Sequence, residues 1–293
     1  MTPTPATAAL PDRIPFWKMS GSGNDFIVLD NRDGLLPPDA IAPFARRACR
    51  RRLAVGADGV VLIGWAGTPA ADFRWRYVNA DGSEGELCGD AAMCGARFAY
   101  LNGIAPATCT FETASGLVRA HVNPDPACDD VAIAIADPGP LHRDLAVLVA
   151  GQEHRLHAIR VGVPHAVLVR KDGTSPPPDD FVAWSRDVRR HPVFAPDGTN
   201  VDELTVGADG TLRMRTYERG VEDETLACGT GAVACAVVAT ALGLAAPPVP
   251  ILTAGGLPLT VDFVWDGAGA SRVSLTGSAR VVATGAIWRE ALA

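Results

Sequence analysis

The protein has 293 residues, with 26 lysine and arginine residues against 33 aspartate and glutamate residues, and its formal net charge at pH 7 is −7. Hydrophobic residues make up 48% of the chain and charged residues 20%, which is typical of a globular protein and excludes a disordered or fibrous one. The acidic balance, without a stretch rich in lysine or arginine, argues against nucleic acid or an anionic membrane as a partner.

The cysteines and the N-terminal segment indicate a cellular compartment. Seven cysteines occur without a CxxC or CxxC…HxxxH pattern, so neither a structural zinc site nor a disulfide framework is expected. The first residues carry neither the basic nor the apolar segment of a signal peptide, and no apolar run approaches the roughly 18 residues of a membrane span. These features predict a cytoplasmic protein without a bound metal. Residues 1–14, rich in proline, alanine and threonine, are predicted to form a disordered tail.

Strand-like and helix-like runs follow one another in the same order in two parts of the chain. In the first part the predicted strands are residues 26–29, 73–78, 109–113 and 117–122, and the predicted helix begins at Cys88-Gly89 and ends at Gly103. A segment rich in breakers, 124–140, follows. In the second part the strands are 166–169, 212–217, 251–253 and 257–264, and the helix runs from Cys228-Gly229 to Gly243. Glycine at both helix ends suits a C-cap. A last strand, 278–288, has no counterpart.

The two parts are repeats of each other at a separation of 140 residues. At this separation Cys88 corresponds to Cys228, and without a gap the same register matches further pairs: Tyr77 with Tyr217, Glu84 with Glu224, Gly89 with Gly229, and Gly103 with Gly243. Both helices are apolar nearly all round, which indicates central helices surrounded by sheet.

The sequence therefore predicts an α+β protein of two pseudo-symmetric homologous domains, each a sheet or barrel around a central helix. We expect the N-terminal half to comprise residues 15–130 with the C-terminal strand, 278–293. The C-terminal half is then 131–277.

Cys88 and Cys228 are the candidate catalytic residues. A thiol at the first turn of a helix lies near unpaired amides and the positive end of the helix dipole, which lower its pKa and favour an anion nearby. Two such thiols suit inversion at a carbon next to a carboxylate, since one thiolate removes a proton while the other thiol delivers one. The amides of the residues after each cysteine would stabilise the developing charge; these residues are Gly89, Asp90, Gly229 and Thr230.

The chain has only two lysines, Lys18 and Lys171. A pyridoxal enzyme needs a lysine for its Schiff base, and neither lysine stands near the cysteine motifs. The sequence therefore favours a reaction that uses no cofactor.

Several segments resemble the diaminopimelate epimerase family, which belongs to a superfamily of cofactor-independent, two-cysteine epimerases and racemases. They are KMSGSGNDF at residues 18–26, NADGSE at 79–84 followed by Cys88-Gly89, Pro164-His165, and YERG at 217–220 leading to ACGTG at 227–231. The resemblance implies two domains that face an active-site cleft, and a homodimer. It also implies conversion of LL-2,6-diaminopimelate to the meso form in lysine and peptidoglycan precursor biosynthesis.

The resemblance also implies roles for single residues. Cys88 and Cys228 correspond to the acid/base pair. Asn79 and Glu218 would hold the ammonium group at the reacting carbon. The distal end of the substrate would be held by Asn24, Asn200 and Arg219, and His165 would line the site near the cysteines. Arg219 would bind the distal carboxylate with its forked guanidinium.

The sequence departs from the family pattern at three positions, which concern the substrate. Asp90 stands where the family usually has Asn, Val163 where it often has Asn, and Gly59 where some members have Gln. A carboxylate at position 90 opposes a substrate carboxylate and tends to raise the pKa of Cys88.

Besides a non-enzymatic binding protein on the same scaffold, two alternative functions stay open. One is epimerisation or racemisation of another amino acid on the same fold. The other belongs to a different class, a hydrolase with a cysteine nucleophile, for which His165 would be the partner.

Overall fold

The computed structural model describes residues 10–85, 87–171 and 173–293, and it divides into two compact units. The first unit comprises residues 1–133 and 277–293, and the second comprises 134–276. Among the described residues, no helix combines the length and the apolar character that crossing a membrane requires.

The first unit consists of two helices and the strands around them. Its helices are α1 (Pro38–Ala48) and α2 (Gly89–Leu101). Its strands are β1 (Arg13–Gly21), β2 (Asn24–Asp30), β3 (Gly59–Gly64), β4 (Phe73–Asn79), β5 (Glu84–Gly85), β6 (Thr108–Thr113), β7 (Gly116–Val122) and β8 (Asp130–Ala134), the last residue of which belongs to the second unit.

The second unit repeats this plan. Its helices are α3 (Pro178–Arg189) and α4 (Gly229–Ala241), and a short 3-10 helix covers Pro192–Phe194. Its strands are β9 (His142–Val149), β10 (Gln152–Val161), β11 (Val163–Arg170), β12 (Asn200–Val206), β13 (Leu212–Glu218), β14 (Asp223–Thr225), β15 (Val249–Leu252), β16 (Pro258–Trp265) and the first part of β17 (Ala270–Trp288). A second 3-10 helix, Arg289–Leu292, ends the chain in the first unit.

Strand order and direction are the same in both units. Among the described residues, the order is β17-β1-β2-β3-β4-β6-β7-β8 in the first unit and β9-β10-β11-β12-β13-β15-β16-β17 in the second. Neighbouring strands are antiparallel except for two pairs in each unit, β2–β3 with β4–β6 and β11–β12 with β13–β15. A helix separates the two strands of each parallel pair in the chain, as parallel pairing requires.

The helices α2 and α4 lie at the centres of their units, as their composition predicted. α2 contacts β1, β2, β3, β4 and β7, while α4 contacts β10, β11, β12, β13, β15 and β16. Most residues of the two helices are buried, because small and apolar side chains predominate in both. Gly103 and Gly243 follow the helices with φ of +65° and +69°, a conformation that favours glycine. The prediction of an α+β fold with sheet around a central helix is confirmed.

The prediction of a disordered tail over residues 1–14 is wrong for the last residues of that segment. Residues 1–9 lie outside the described residues, but Leu10 and Ile14 are buried and β1 already begins at Arg13. Arg13 pairs with Trp288 of β17, and its guanidinium lies 4.0 Å above the indole ring. The C-terminal strand therefore gives this segment a hydrogen-bonding partner that its own composition does not reveal.

One close contact between α2 and β4 is possible only because residue 95 of the helix is a glycine. A Cβ atom on Gly95 of α2 would lie 2.6 Å from Cδ1 of Trp75, a fully buried residue of β4. The indole nitrogen of Trp75 donates a hydrogen bond of 3.3 Å to the Ala91 carbonyl one turn earlier in the helix. The ring is thus held against the helix at the point where glycine leaves room for it.

We expect Gly95→Ala to lower the free energy of unfolding by about 1–3 kcal/mol, because the added methyl group overpacks the Trp75 site. Helix propensity acts in the opposite direction, by about 1 kcal/mol. Equilibrium denaturation in guanidinium chloride measures the difference. The control is Cys235→Ala at the corresponding position of α4, which removes an atom and adds no clash, so a smaller loss is expected. An increase in stability for Gly95→Ala would contradict the packing argument.

Candidate active site

Both predicted catalytic cysteines occupy the residue before the first turn of a central helix. Cys88 and Cys228 have extended backbones, with φ of −125° and −136°, and each is the N-cap of its helix. The Cys88 carbonyl accepts a hydrogen bond of 2.8 Å from the Ala92 amide, and the Cys228 carbonyl accepts one of 2.9 Å from Ala232. Each helix thus begins directly at its cysteine, where first-turn amides favour an anion.

In the first unit, the structure joins Asn24 to the first turn of α2. The Asn24 side-chain amide donates a hydrogen bond of 2.7 Å to the Asp90 carboxylate, which is 3% exposed. A Cβ atom on Gly21 would lie 2.6 Å from the Asp90 carbonyl oxygen, so the turn between β1 and β2 rests directly on the helix. Asp90, which departs from the family pattern, is therefore buried, and its carboxylate binds Asn24, a predicted substrate-binding residue.

Asn79 ends β4, in the turn that leads towards Cys88. Its backbone amide donates to the Ser83 carbonyl at 2.8 Å and its side-chain amide to the Ser83 hydroxyl at 3.0 Å. Across the strand pair Asn79 faces Gly59, where a Cβ atom would collide with the Tyr77 ring. The glycine at position 59 is thus explained by the packing of Tyr77.

In the second unit, Cys228 lies among polar side chains. Its sulfur is 3.5 Å from the Thr230 hydroxyl, and the residue is 7% exposed. The Glu218 carboxylate accepts a hydrogen bond of 2.5 Å from the Thr225 hydroxyl and interacts with the Cys228 thiol. Burial raises the pKa of Glu218 above its ordinary value. The structure therefore brings together three of the predicted site residues.

His165 joins the same cluster through Thr230, and its other ring nitrogen contacts a residue that the sequence did not predict. Its Nε2 lies 3.0 Å from the Thr230 hydroxyl, and its Nδ1 lies 2.7 Å from Oδ2 of Asp202. Asp202 is buried in β12. A signal for Asp202 is present in the sequence. Asp202 and Glu203 are adjacent carboxylates inside the strand sequence NVDELTV, and buried carboxylates need specific partners.

Asn200 and Arg219 are joined to each other. The Asn200 side-chain oxygen accepts a hydrogen bond of 2.8 Å from the Arg219 backbone amide. The Arg219 guanidinium donates to the Asp197 carbonyl at 3.0 Å and is half-buried. Val163, the third departure from the family pattern, begins β11 and pairs with Val161.

The electrostatics of Cys228 differ from the prediction that a helix N-terminus lowers the thiol pKa. Burial raises the pKa of Cys228 well above its ordinary value, and the Glu218 and Asp202 carboxylates raise it further. The contact with the Thr230 hydroxyl and a hydrogen bond with the Gly231 backbone lower it, but they do not outweigh burial and two negative charges. The expectation was wrong for this cysteine because it considered the helix without the carboxylates of the neighbouring strands.

Among the described residues, no group of three or more His, Cys, Asp and Glu side chains is placed to share a metal ion.

We expect Glu218→Gln to speed alkylation of Cys228 severalfold at pH 8. Glutamine removes a negative charge that raises the thiol pKa, so the thiolate fraction at a fixed pH increases. Iodoacetamide labelling resolved by peptide mass spectrometry measures the rate at each cysteine. The control is Glu224→Gln, which removes a carboxylate paired with Arg215. Unchanged or slower labelling of Cys228 in Glu218→Gln would contradict this electrostatic account.

Comparison with known proteins agrees with these motifs. The family model for diaminopimelate epimerase matches residues 16–133 and 157–282. A diaminopimelate epimerase of Aquifex aeolicus is 39% identical over 286 residues, which cover 95% of this chain and 99% of that protein. One from Archaeoglobus fulgidus is 38% identical over 274 residues, covering 89% of this chain and 95% of that protein.

Solved structures share the fold at low sequence identity. A probable proline racemase from Agrobacterium radiobacter superimposes with a TM-score of 0.67 at 19% identity, and the match covers 93% of this chain and 92% of that one. The resemblance predicted from the motifs is confirmed by the family model and by the curated relatives. This chain belongs to the diaminopimelate epimerase family.

Proposed function

We propose that the protein interconverts LL- and meso-diaminopimelate by moving a proton at one α-carbon. The observation that carries this proposal is the pair of cysteines at the N-caps of two corresponding central helices, in a chain 39% identical to a diaminopimelate epimerase. Such helix ends suit a substrate carboxylate, and thiols suit proton transfer at the carbon next to it.

In the mechanism we propose, Cys88 and Cys228 exchange roles. One sulfur, as thiolate, removes the α-proton, and the other, as thiol, gives a proton to the opposite face of the carbon. The reverse reaction uses the same groups with their protonation states exchanged. The first-turn amides, including those of Gly89, Asp90, Gly229 and Thr230, would stabilise the charge that develops on the substrate carboxylate.

Asn79 and Glu218 are the proposed partners of the ammonium group at the reacting carbon. Glu218 supplies the negative charge, and its carboxylate already lies beside Cys228. A bound ammonium cation would offset that charge and so reduce its effect on the thiol pKa. Substrate binding would therefore favour the thiolate that the reaction needs.

Recognition of the distal end of the substrate is proposed for Asn24, Asn200 and Arg219. The hydrogen bond between Asn200 and the Arg219 backbone supports a shared role, since it fixes the start of the arginine side chain. His165 would line the same site near Cys228. The guanidinium of Arg219 would bind the distal carboxylate with two parallel hydrogen bonds.

The surroundings of Lys18 support a mechanism without a pyridoxal cofactor. Its ammonium lies 2.7 Å from the Asp25 carboxylate, which also binds Arg51 at 2.7 Å. Burial alone raises the pKa of Asp25, but Arg51 and Lys18 outweigh it and lower this pKa to about 2. Lys18 is thus engaged in an ion pair with a carboxylate that is ionised at neutral pH, which disfavours its use as the amine of a Schiff base.

A second candidate, epimerisation or racemisation of another amino acid, is favoured by the hydrogen bond between Asn24 and Asp90. It places a buried carboxylate on a residue proposed to bind the distal end of the substrate. A hydrolase with one cysteine nucleophile is disfavoured, because it would leave the second, symmetry-related N-cap cysteine without a role.

We further propose that the protein acts in the cytoplasm as a homodimer on a free amino acid. The cysteine spacing shows no disulfide framework, which suits a reducing compartment. The net charge of −7 gives no basis for attraction to nucleic acid. The homodimer rests on the family resemblance alone.

Incubation in D₂O tests the reaction directly. With LL-diaminopimelate we expect deuterium at one α-carbon of the product and accumulation of the meso isomer, because the donor thiol exchanges with solvent. Mass spectrometry and chiral chromatography measure both. A panel of amino acids with one stereocentre distinguishes the second candidate. The proposal fails if the protein exchanges no α-proton in diaminopimelate or in any member of the panel.

We expect Cys88→Ala and Cys228→Ala each to reduce net epimerisation at least about 10³-fold, because inversion needs both an acid and a base. The matched controls are Cys94→Ala and Cys235→Ala, which change buried thiols further along the same helices. These controls should keep activity within a few-fold. Circular dichroism verifies folding, and full activity in Cys88→Ala or Cys228→Ala would remove that cysteine from the mechanism.

A further inference from the structure

A chain of contacts leads from Cys228 into the interior of the second unit. The sulfur is 3.5 Å from the Thr230 hydroxyl, which is 3.0 Å from Nε2 of His165. Nδ1 of His165 is 2.7 Å from Oδ2 of Asp202, and neither of these two side chains is exposed. Only the first two members of this chain belong to the family motif ACGTG, and Asp202 was not among the predicted site residues.

The carboxylate of Asp202 occupies a site built to hold it. Its second oxygen, Oδ1, accepts a hydrogen bond of 2.7 Å from the Thr216 hydroxyl. A Cβ atom on Gly231 would lie 2.6 Å from that same oxygen and 3.0 Å from the Thr216 hydroxyl. Glycine in the first turn of α4 thus leaves room for the carboxylate. A buried carboxylate without partners is costly, and here both oxygens have them.

The contacts of Asp202 decide which nitrogen of His165 carries the proton. An ionised carboxylate accepts hydrogen bonds only, so Nδ1 of the neutral ring must be the N–H donor. Nε2 is then an acceptor and receives the Thr230 O–H. With its hydrogen directed to His165, the Thr230 oxygen is free to accept from the Cys228 thiol. Every donor in the chain therefore points from the sulfur towards the carboxylate.

We propose that Asp202 is a positioning residue that fixes the Nδ1–H form of His165 and so makes this ring the proton acceptor for Cys228. The inference rests on the proposed function, since it concerns how Cys228 becomes a thiolate.

The proton transfer along this chain balances without any further reactant. The Cys228 thiol gives its proton to the Thr230 oxygen while the Thr230 hydroxyl proton moves to Nε2 of His165. The products are a thiolate and an imidazolium, and the imidazolium N–H at Nδ1 remains hydrogen-bonded to the Asp202 carboxylate. After Cys228 has acted as the acid and given its proton to the substrate carbon, the imidazolium gives its Nε2 proton to the Thr230 oxygen, and the Thr230 hydroxyl proton moves to the sulfur and re-forms the thiol.

The charged and titratable groups around this chain come from three elements besides β11. Asp202 lies on β12, Glu218 on β13, and Cys228 and Cys235 on α4. Glu218 and Asp202 both disfavour the thiolate by their charge, whereas an imidazolium at His165 favours it. The position of the proton between sulfur and ring therefore depends on Asp202, which stabilises the protonated ring.

The first test measures the tautomer of His165 without reference to activity. In ¹⁵N-labelled protein above pH 8, we expect NMR to show the Nδ1–H form, with the signal assigned by its loss in His165→Gln. The Nε2–H form in the wild-type protein would overturn the inference, whatever the enzyme's substrate proves to be.

The second test removes the charge of Asp202. We expect Asp202→Asn to lower kcat for α-proton exchange by about 10²-fold, with a much smaller effect on KM, because the residue does not touch the substrate. The matched control is Glu203→Gln, which neutralises the adjacent carboxylate on the same strand, also fully buried. Glu203 binds Arg170 and Ser175 instead of the histidine, so kcat should stay within about threefold. Equal kcat values in the two folded variants would overturn the inference.

A third pair of variants interrupts the chain without disturbing the buried carboxylate. Thr230→Val removes the hydroxyl that links sulfur and ring, and Thr230→Ser retains it. We expect the valine variant to lose exchange by about 10²-fold and the serine variant to keep it within a few-fold, and equal loss in both would refute the relay. If the wild-type protein exchanges no α-proton at all, the proposed function fails, and the tautomer measurement alone decides the role of Asp202.

Discussion

The first turn of a buried helix is the constraint on which the chemistry of both units depends. A central helix surrounded by sheet begins with backbone amides that have no partner inside the helix. Helices usually satisfy such amides with a Ser, Thr, Asp or Asn side chain at the N-cap, but α2 and α4 have cysteines there, and a thiol is a weaker hydrogen-bond acceptor than an oxygen. The amides therefore stay available for an anion, next to a group able to transfer protons. A cysteine at the N-cap thus stabilises the helix less than a capping side chain would, but it leaves the first turn available as an anion-binding site.

The repeat keeps this arrangement and varies what surrounds it. At the separation of 140 residues, the helix starts, the cysteines and the C-cap glycines correspond. The polar chain behind Cys228 does not correspond, since the position of Asp202 is occupied in the first unit by Leu62, a buried apolar residue. Thr230 corresponds to Asp90, which binds Asn24. Two thiols that occupy equivalent backbone positions thus have different electrostatic surroundings, as expected if one fold serves two proton transfers of opposite direction.

The sequence predicted the interior of the fold better than its periphery. The central helices and the strands after them follow from composition, repeat register and glycine C-caps, and all were found close to the predicted bounds. The outer helices α1 and α3 were not predicted. Each begins with a proline, and proline is found at helix starts but also in turns that interrupt helices. Helix α1 contains Pro43 as well. The site residues carried over from the family motifs are local in sequence. Asp202 is different, since only the parallel pairing of β11 with β12 brings it to His165, and no local pattern encodes that pairing.

The raised pKa of Cys228 is compatible with the proposed role in catalysis and indicates that its thiolate would be a strong base. A base that removes a weakly acidic α-proton gains from a high pKa, because proton-transfer driving force increases with basicity. The cost is a small thiolate fraction in the free enzyme, which two features of the second unit offset. A substrate ammonium beside Glu218 would neutralise one of the charges that raise the pKa of Cys228. In the relay that we propose, His165 would accept the thiol proton through Thr230, with Asp202 behind it. Under the proposed mechanism, the thiolate would form mainly when substrate is bound, so that a reactive sulfur would not be maintained in the resting protein.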